Sequence, residues 1–166
     1  MHNSSIVKLQ SNDGQVFEVA YGTIKQSQTM EALLEEFDYP EDVIPIPNIN
    51  SATLAKIVEW CEHHKNDPAY VEEEVDPLRR HTSIEVPEWD RNFFNVSQEM
   101  LSDILNAAHY LSITPLVQIG CKMVANLIKG KSTEQLRELF GMEDDFTEEQ
   151  KQALREEYPW ANVDDN

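Results

Sequence analysis

The chain has 166 residues and carries 31 acidic against 13 basic side chains, a formal net charge of -18. That length suits one sizeable core, or one domain with a helical extension, and argues against two full domains. The acidic excess is spread, 20 against 7 before Thr114 and 11 against 6 from there on, so nucleic acid and membrane surface are not expected partners and basic protein surfaces are.

Residues 6–10 and 15–19 read as two short strands, and Asp13-Gly14 between them is a hairpin signal. From 27 to 37, Met30, Leu33, Leu34 and Phe37 recur at the helical period, which predicts one helix whose inner stripe they form, ended by Asp38-Tyr39-Pro40. The run Val43-Ile44-Pro45-Ile46-Pro47 is apolar but lacks two N–H groups, so it reads as a short edge strand. Asn50 or Ser51 can cap the next helix, with Leu54, Ile57, Val58 and Cys61 buried and Asp67-Pro68 as its limit. Periodicity then fails from 67 to 92, where three prolines, Glu72-Glu73-Glu74 and Arg79-Arg80 predict a long polar loop, expected to be mobile. Trp89 and Phe93-Phe94 return the chain to the core.

Ser97 caps a helix with Met100, Leu101, Ile104, Leu105, Ala108 and Leu111 on its inner side. His109 and Tyr110 fall off the centre of that stripe. A ring buried against an amphipathic boundary and a contact surface are equally open readings of the pair.

The following stretch has both ends of a helix written into it: Thr114 as N-cap, Pro115 at the first position and Gly130 as a left-handed stop. Leu116, Ile119, Gly120, Met123 and Leu127 make one apolar stripe, and Val117, Cys121, Val124 and Ile128 a second beside it. Together they sweep roughly 200° of the wheel, where roughly 100° suffices for a helix on one core. The first stripe can face this chain's own body; the second needs another cover, from residues downstream or from a partner. Ser132 with Gln135, and Thr147 with Gln150, have capping-box spacing and predict two more short helices. Leu136, Leu139 and Phe140 edge the first, ended by Gly141; Ala153, Leu154 and Tyr158 edge the second, before Pro159 and Trp160. Helices so thin are expected to lie near the second stripe and to rim a groove. The whole is a mixed α/β body, 1–113, followed by a helical extension, 114–166.

Chemistry has little visible seat. Cys61 and Cys121 both fall at apolar helical positions, where a thiol is expected to be buried and inert. With no secretory leader visible and no apolar run of about 18 residues, a soluble protein of a reducing compartment, cytosol or nucleus, is expected. His63-His64 near Cys61 lacks the second ligand cluster of a structural zinc site, so no metal is expected and the histidines read as solvated or as dipole partners at a helix end. No phosphate-cradling glycine loop or nucleophile elbow is present, and the pairs Asp144-Asp145 and Glu148-Glu149 read as a solvated face. Catalysis and cofactors are not expected.

Several segments resemble one family closely: Ser11-Asn12-Asp13-Gly14, Trp60-Cys61-Glu62-His63-His64-Lys65-Asn66-Asp67-Pro68, Ala107-Ala108-His109-Tyr110-Leu111, Cys121-Lys122-Met123-Val124-Ala125-Asn126-Leu127-Ile128-Lys129-Gly130-Lys131 and Asp145-Phe146-Thr147-Glu148-Glu149. In order and spacing they are similar to the Skp family, adaptors of Skp-cullin-F-box ubiquitin ligases. The resemblance implies a BTB/POZ-type body that binds a cullin and a helical extension that grips F-box proteins. It assigns the F-box contact to Val117, Cys121, Val124 and Ile128, with Phe140, Met142 and Trp160, and the cullin contact to His109 and Tyr110. His109 stands where the family pattern has Asn. The segment 39–43 is shorter than the family's acidic insertion, the loop around Leu78-Arg79-Arg80-His81 is this chain's own, and the tail from Trp160 onward departs from the usual ending; these changes suit a divergent paralogue. The alternative is a BTB-like scaffold that uses the same apolar surface for self-association, as a homodimer without an F-box partner.

Overall fold

A computed structural model describes residues 5–37, 42–71 and 85–161. The chain opens with β1 (Ile6–Gln10) and β2 (Val16–Ala20), antiparallel with Leu9 opposite Phe17. Gly14 turns the hairpin at φ +86°, a conformation glycine adopts without steric cost. Alternation along the strands buries Val7, Leu9 and Val19 and exposes Ile6 and Val16. Asp13 does more than turn the chain. Its carboxylate accepts from the Ser11 and Ser51 hydroxyls and from the Ser51 N–H, which ties the hairpin to the start of the third helix; those hydroxyl bonds hold its carboxyl below the usual range. β3 (Ile44–Pro45) lies parallel to β1 in a sheet of order β2-β1-β3, at an edge where Pro45 has no N–H to leave unpaired.

Two helices follow the hairpin where the spacing predicts one. The first, α1 (Tyr21–Ile24), is a single turn and has no period to read. In α2 (Gln28–Glu36), the Ser27 hydroxyl accepts from the Met30 N–H, and Met30 and Leu34 are buried. Phe37 leaves the expected stripe and is 63% exposed: it is the C-cap, at φ -99°, so the helical repeat no longer carries its side chain inward.

Asn50, rather than Ser51, caps α3 (Ser51–His64), accepting from the Thr53 N–H at 2.8 Å. Leu54, Ile57, Trp60 and Cys61 enter the core; Val58 is half-buried. The expected loop from 67 to 92 is shorter than its lost periodicity suggests, because α4 (Glu88–Phe93) occupies its end. Six residues cannot display a helical period. What fixes α4 is a buried contact: Asp90, fully enclosed, accepts from the Trp60 indole N–H at 2.8 Å. The Glu72-Glu73-Glu74 run, the Leu78-Arg79-Arg80-His81 segment and Tyr39 lie outside the described residues.

Ser97 caps α5 (Gln98–Tyr110), which buries Leu101, Ile104 and Ala108 as its spacing predicts and Ala107 besides. The next helix, α6 (Thr114–Ile128), starts one residue earlier than expected. The Val117 N–H bonds to the Ile113 carbonyl, so Thr114 is its first residue and not its cap. Gly120 lets α6 approach the Leu105 and Phe94 side chains, where a β-carbon would collide with Leu105.

The chain forms two compact units, Met1–Val124 and Ala125–Asn166, with α6 beginning in the first and ending in the second. The first holds the three-stranded sheet and a core centred on Trp60, Leu9, Ile57, Ile104, Ile113 and Leu116. The second adds α7 (Thr133–Phe140), α8 (Glu148–Glu157) and a 3-10 turn (Pro159–Ala161). Both predicted capping boxes are present, Ser132 with Gln135 and Thr147 with Gln150, and Gly141 ends α7 at φ +63°. No residue of α7 or α8 is buried. The fold is mixed α+β, a small sheet with eight helices among the described residues.

Candidate protein-binding surfaces

Side chains of α6 sort by their angle on the helix. Leu116 and Gly120 are buried, and Ile119 and Met123 are half-buried against the core, so the first stripe faces inward as its composition predicts. Leu127 does not follow: it is exposed, because the part of α6 packed on that core ends at Val124. In the second stripe, Val124 and Val117 stand roughly 80° and 100° from Leu116, Ile128 and Cys121 roughly 120° and 140°. Burial falls in the same order of angle. The two valines are half-buried and pack partly against the core, whereas Ile128 is 38% exposed and Cys121 is also exposed. The expectation that both cysteines are buried is therefore corrected for Cys121, which lies on the outer edge of the sweep. Cys61 is fully enclosed in α3, and burial pushes its thiol up to about 12, far from any nucleophilic thiolate.

In the second unit, Phe140, Met142 and Trp160 are all exposed, Met142 by 63% and Trp160 by 82%. Phe146, which the sequence reading did not single out, joins them. It sits alone between acidic residues and a cap, outside any period, and the signal that finds it is spatial: the Arg137 guanidinium lies 5.7 Å from its ring centroid. Beside it the Lys151 ammonium is 2.6 Å from Asp144 and 3.3 Å from Glu148, with Arg137 3.7 Å from Asp144. The Lys151 bond holds the Asp144 carboxyl below its usual range. Exposed large apolar side chains of this kind make the second unit a candidate docking surface.

A second surface lies at the end of α5. Leu111 and Ile113 are buried there, which turns His109 and Tyr110 outward; both are exposed, Tyr110 by 44%. With Tyr110 more than half covered, that exposure fits an amphipathic boundary as well as a contact surface.

The histidines of α3 are not simply solvated. His63 stacks on Trp89, ring centroids 3.7 Å apart, and half-buried His64 has Nδ1 2.6 Å from Asp67 Oδ2 and Nε2 3.1 Å from Asp90 Oδ1. Trp60, His64, Asp67, Tyr70 and Asp90 line an open cleft of about 640 Å³. Among the described residues no group of three or more His, Cys, Asp or Glu could hold a metal ion, and no helix is long and apolar enough to cross a membrane.

Two family models match the chain: "Skp1 family, tetramerisation domain" over residues 5–66 and "Skp1 family, dimerisation domain" over residues 114–161. The chain is similar to the E3 ubiquitin ligase complex SCF subunit sconC of Talaromyces stipitatus, 46% identical over 158 residues that cover 95% of this chain and 98% of that one. It is 45% identical over 151 residues to the protein of the same name in Aspergillus flavus, covering 91% and 92%. To Suppressor of kinetochore protein 1 of Schizosaccharomyces pombe it is 43% identical over 157 residues, covering 95% and 98%.

Proposed function

This chain belongs to the Skp1 family, and on that premise we propose that it is the non-catalytic adaptor of an SCF ubiquitin ligase, bridging F-box substrate receptors to a cullin scaffold. The F-box protein covers Val117, Cys121, Val124 and Ile128 of α6 together with Phe140, Met142 and Trp160, and the cullin docks on His109 and Tyr110. On this reading 1–113 is the cullin-facing body and 114–166 the F-box-binding extension. The observation that carries it is the outer edge of α6: a helix whose inner stripe is covered by its own core as far as Met123 leaves Cys121 and Ile128 exposed. Full burial of each large apolar side chain is worth about 1.5 to 3 kcal/mol. Val117 and Val124 are already half covered, so the gain has to come from Cys121, Ile128 and added contacts, with the exposed Trp160 indole as an anchor, to offset the cost of association.

Because Val117 and Val124 also pack on the core, the clean test uses the side chains that do not. Cys121→Glu with Ile128→Glu should abolish co-purification of an F-box domain while circular dichroism and the melting temperature stay unchanged. Tyr110→Ala should abolish cullin binding and spare the F-box. A folded double variant that still captures the F-box domain would contradict the surface.

Self-association is the second reading, supported by the exposed apolar side chains of the second unit and by the dimerisation and tetramerisation named in the matching family models. On this reading light scattering should find a stable homodimer that an F-box domain leaves intact, whereas a dimer that the F-box domain dissociates favours the adaptor. Two free thiols suit a reducing compartment, so cytoplasm and nucleus are the proposed locations.

A further inference from the structure

The end of α5 that presents His109 and Tyr110 is held from outside its own helix. The last carbonyls of a helix have no intrahelical partner, and here the N-terminal end of α2 places donors against the carbonyls of Tyr110, which ends α5, and of Leu111 and Ser112 just after it. The Ser27 hydroxyl donates to the Leu111 carbonyl, the Gln28 N–H to the Ser112 carbonyl at 3.3 Å, and the Thr29 hydroxyl lies 3.4 Å from the Tyr110 carbonyl oxygen and 3.1 Å from Ser112 Oγ. Ser112 itself sits at φ +53°, the one positive φ outside glycine among the described residues. Such a conformation persists where neighbours hold it.

Ser27 and Thr29 do different jobs. Ser27 is buried and already serves as the N-cap of α2, accepting from the Met30 N–H at 3.1 Å, so its loss would damage the body. Thr29 is exposed and has no capping duty; both groups its hydroxyl meets belong to the α5 end. Its proton can satisfy one of them at a time, and either bond fixes the backbone that carries the Tyr110 ring.

We propose that Thr29, through Ser112 and the Tyr110 carbonyl, is a positioning residue that preorganises the His109-Tyr110 pair for its partner. This deepens the docking reading and rests on it. A surface held in its bound geometry loses less entropy on association, so the hydroxyl contributes to cullin affinity without touching the cullin.

The test titrates an N-terminal cullin fragment, and separately an F-box domain, into the full chain and its Thr29→Val, Thr29→Ser and Tyr110→Ala variants. Valine keeps the shape and removes the hydroxyl. Thr29→Val should weaken cullin binding about tenfold, the equivalent of one hydrogen bond, and leave F-box affinity and melting temperature unchanged. Thr29→Ser should restore the cullin affinity. Thr29→Val within twofold of the parent, while Tyr110→Ala abolishes binding, overturns the positioning role and spares the docking surface. Equal losses of both affinities also overturn it, since Thr29 would then be structural. A Tyr110→Ala variant that binds the cullin normally removes the docking reading, and the inference with it.

Discussion

The helices α5 and α8 are both amphipathic and both begin with a hydroxyl cap, yet one buries Leu101, Ile104, Ala107 and Ala108 and the other buries nothing. In α5 the Ser97 cap is backed by packing; in α7 and α8 the local signals, two capping boxes and the Gly141 stop, act without any fully buried residue. Helices of eight and ten residues without a buried face are marginal in water, because nucleation is costly and propensity weak. The difference teaches where the molecule is finished. The body encloses its own apolar side chains, whereas α7 and α8 leave theirs without full burial, as the proposed F-box contact requires.

That contrast can be broken most forcefully in the core. Ile104→Ala should cost about 2 to 5 kcal/mol in urea unfolding, and Leu154→Ala in α8 less than about 0.5 kcal/mol. Equal costs would erase the distinction between the two regions. Next comes the buried polar contact behind α4. Asp90→Ala leaves the Trp60 indole N–H enclosed without its acceptor, and should lose about 1 to 3 kcal/mol in the same measurement. Among the described residues the second Asp90 oxygen has no hydrogen-bond partner, so Asp90→Asn, which keeps one acceptor, should lose less.

A smaller, local effect sharpens the comparison from the other side. Ser132→Ala or Thr147→Ala should remove about 1 kcal/mol from its own helix, seen as faster hydrogen exchange in α7 or α8 with the urea midpoint of the body unmoved. The smallest is electrostatic. The Asp144 carboxyl is held below its ordinary value of 3.8 by the Lys151 bond, so its contribution is present above that value and is lost as pH falls through the lower, folded one. Acidification below 3.8 should therefore loosen the start of α8, followed by amide shifts at Thr147 and Glu148, and Asp144→Asn should flatten that dependence.

The fold was legible where local chemistry and burial agree. The Asp13-Gly14 turn, the edge proline Pro45, the Ser97, Ser132 and Thr147 caps and the inner stripe of α5 all stand where their residue types put them. The misses have physical causes. One-turn α1 and six-residue α4 are too short to carry a period, and α4 depends on the Trp60–Asp90 bond between residues thirty apart. At the surface, the excess apolar sweep of α6 could be read directly, but not how the core divides it, covering Val117 and Val124 by half and leaving Cys121 out. Phe146 and Thr29 were invisible because their roles come from neighbours distant in the chain or outside any repeat.

Cys121 offers the most direct measurement, since a thiol reports its own accessibility. In the native chain near pH 8 a thiol reagent should modify Cys121 rapidly and leave Cys61 untouched until unfolding, because one sulfur is exposed and the other is enclosed with its thiol pushed up to about 12. Saturating F-box domain should then slow Cys121 labelling at least tenfold, while an N-terminal cullin fragment should not. Labelling that proceeds at the same rate with the F-box domain bound would contradict the claim that the outer edge of α6 is its seat.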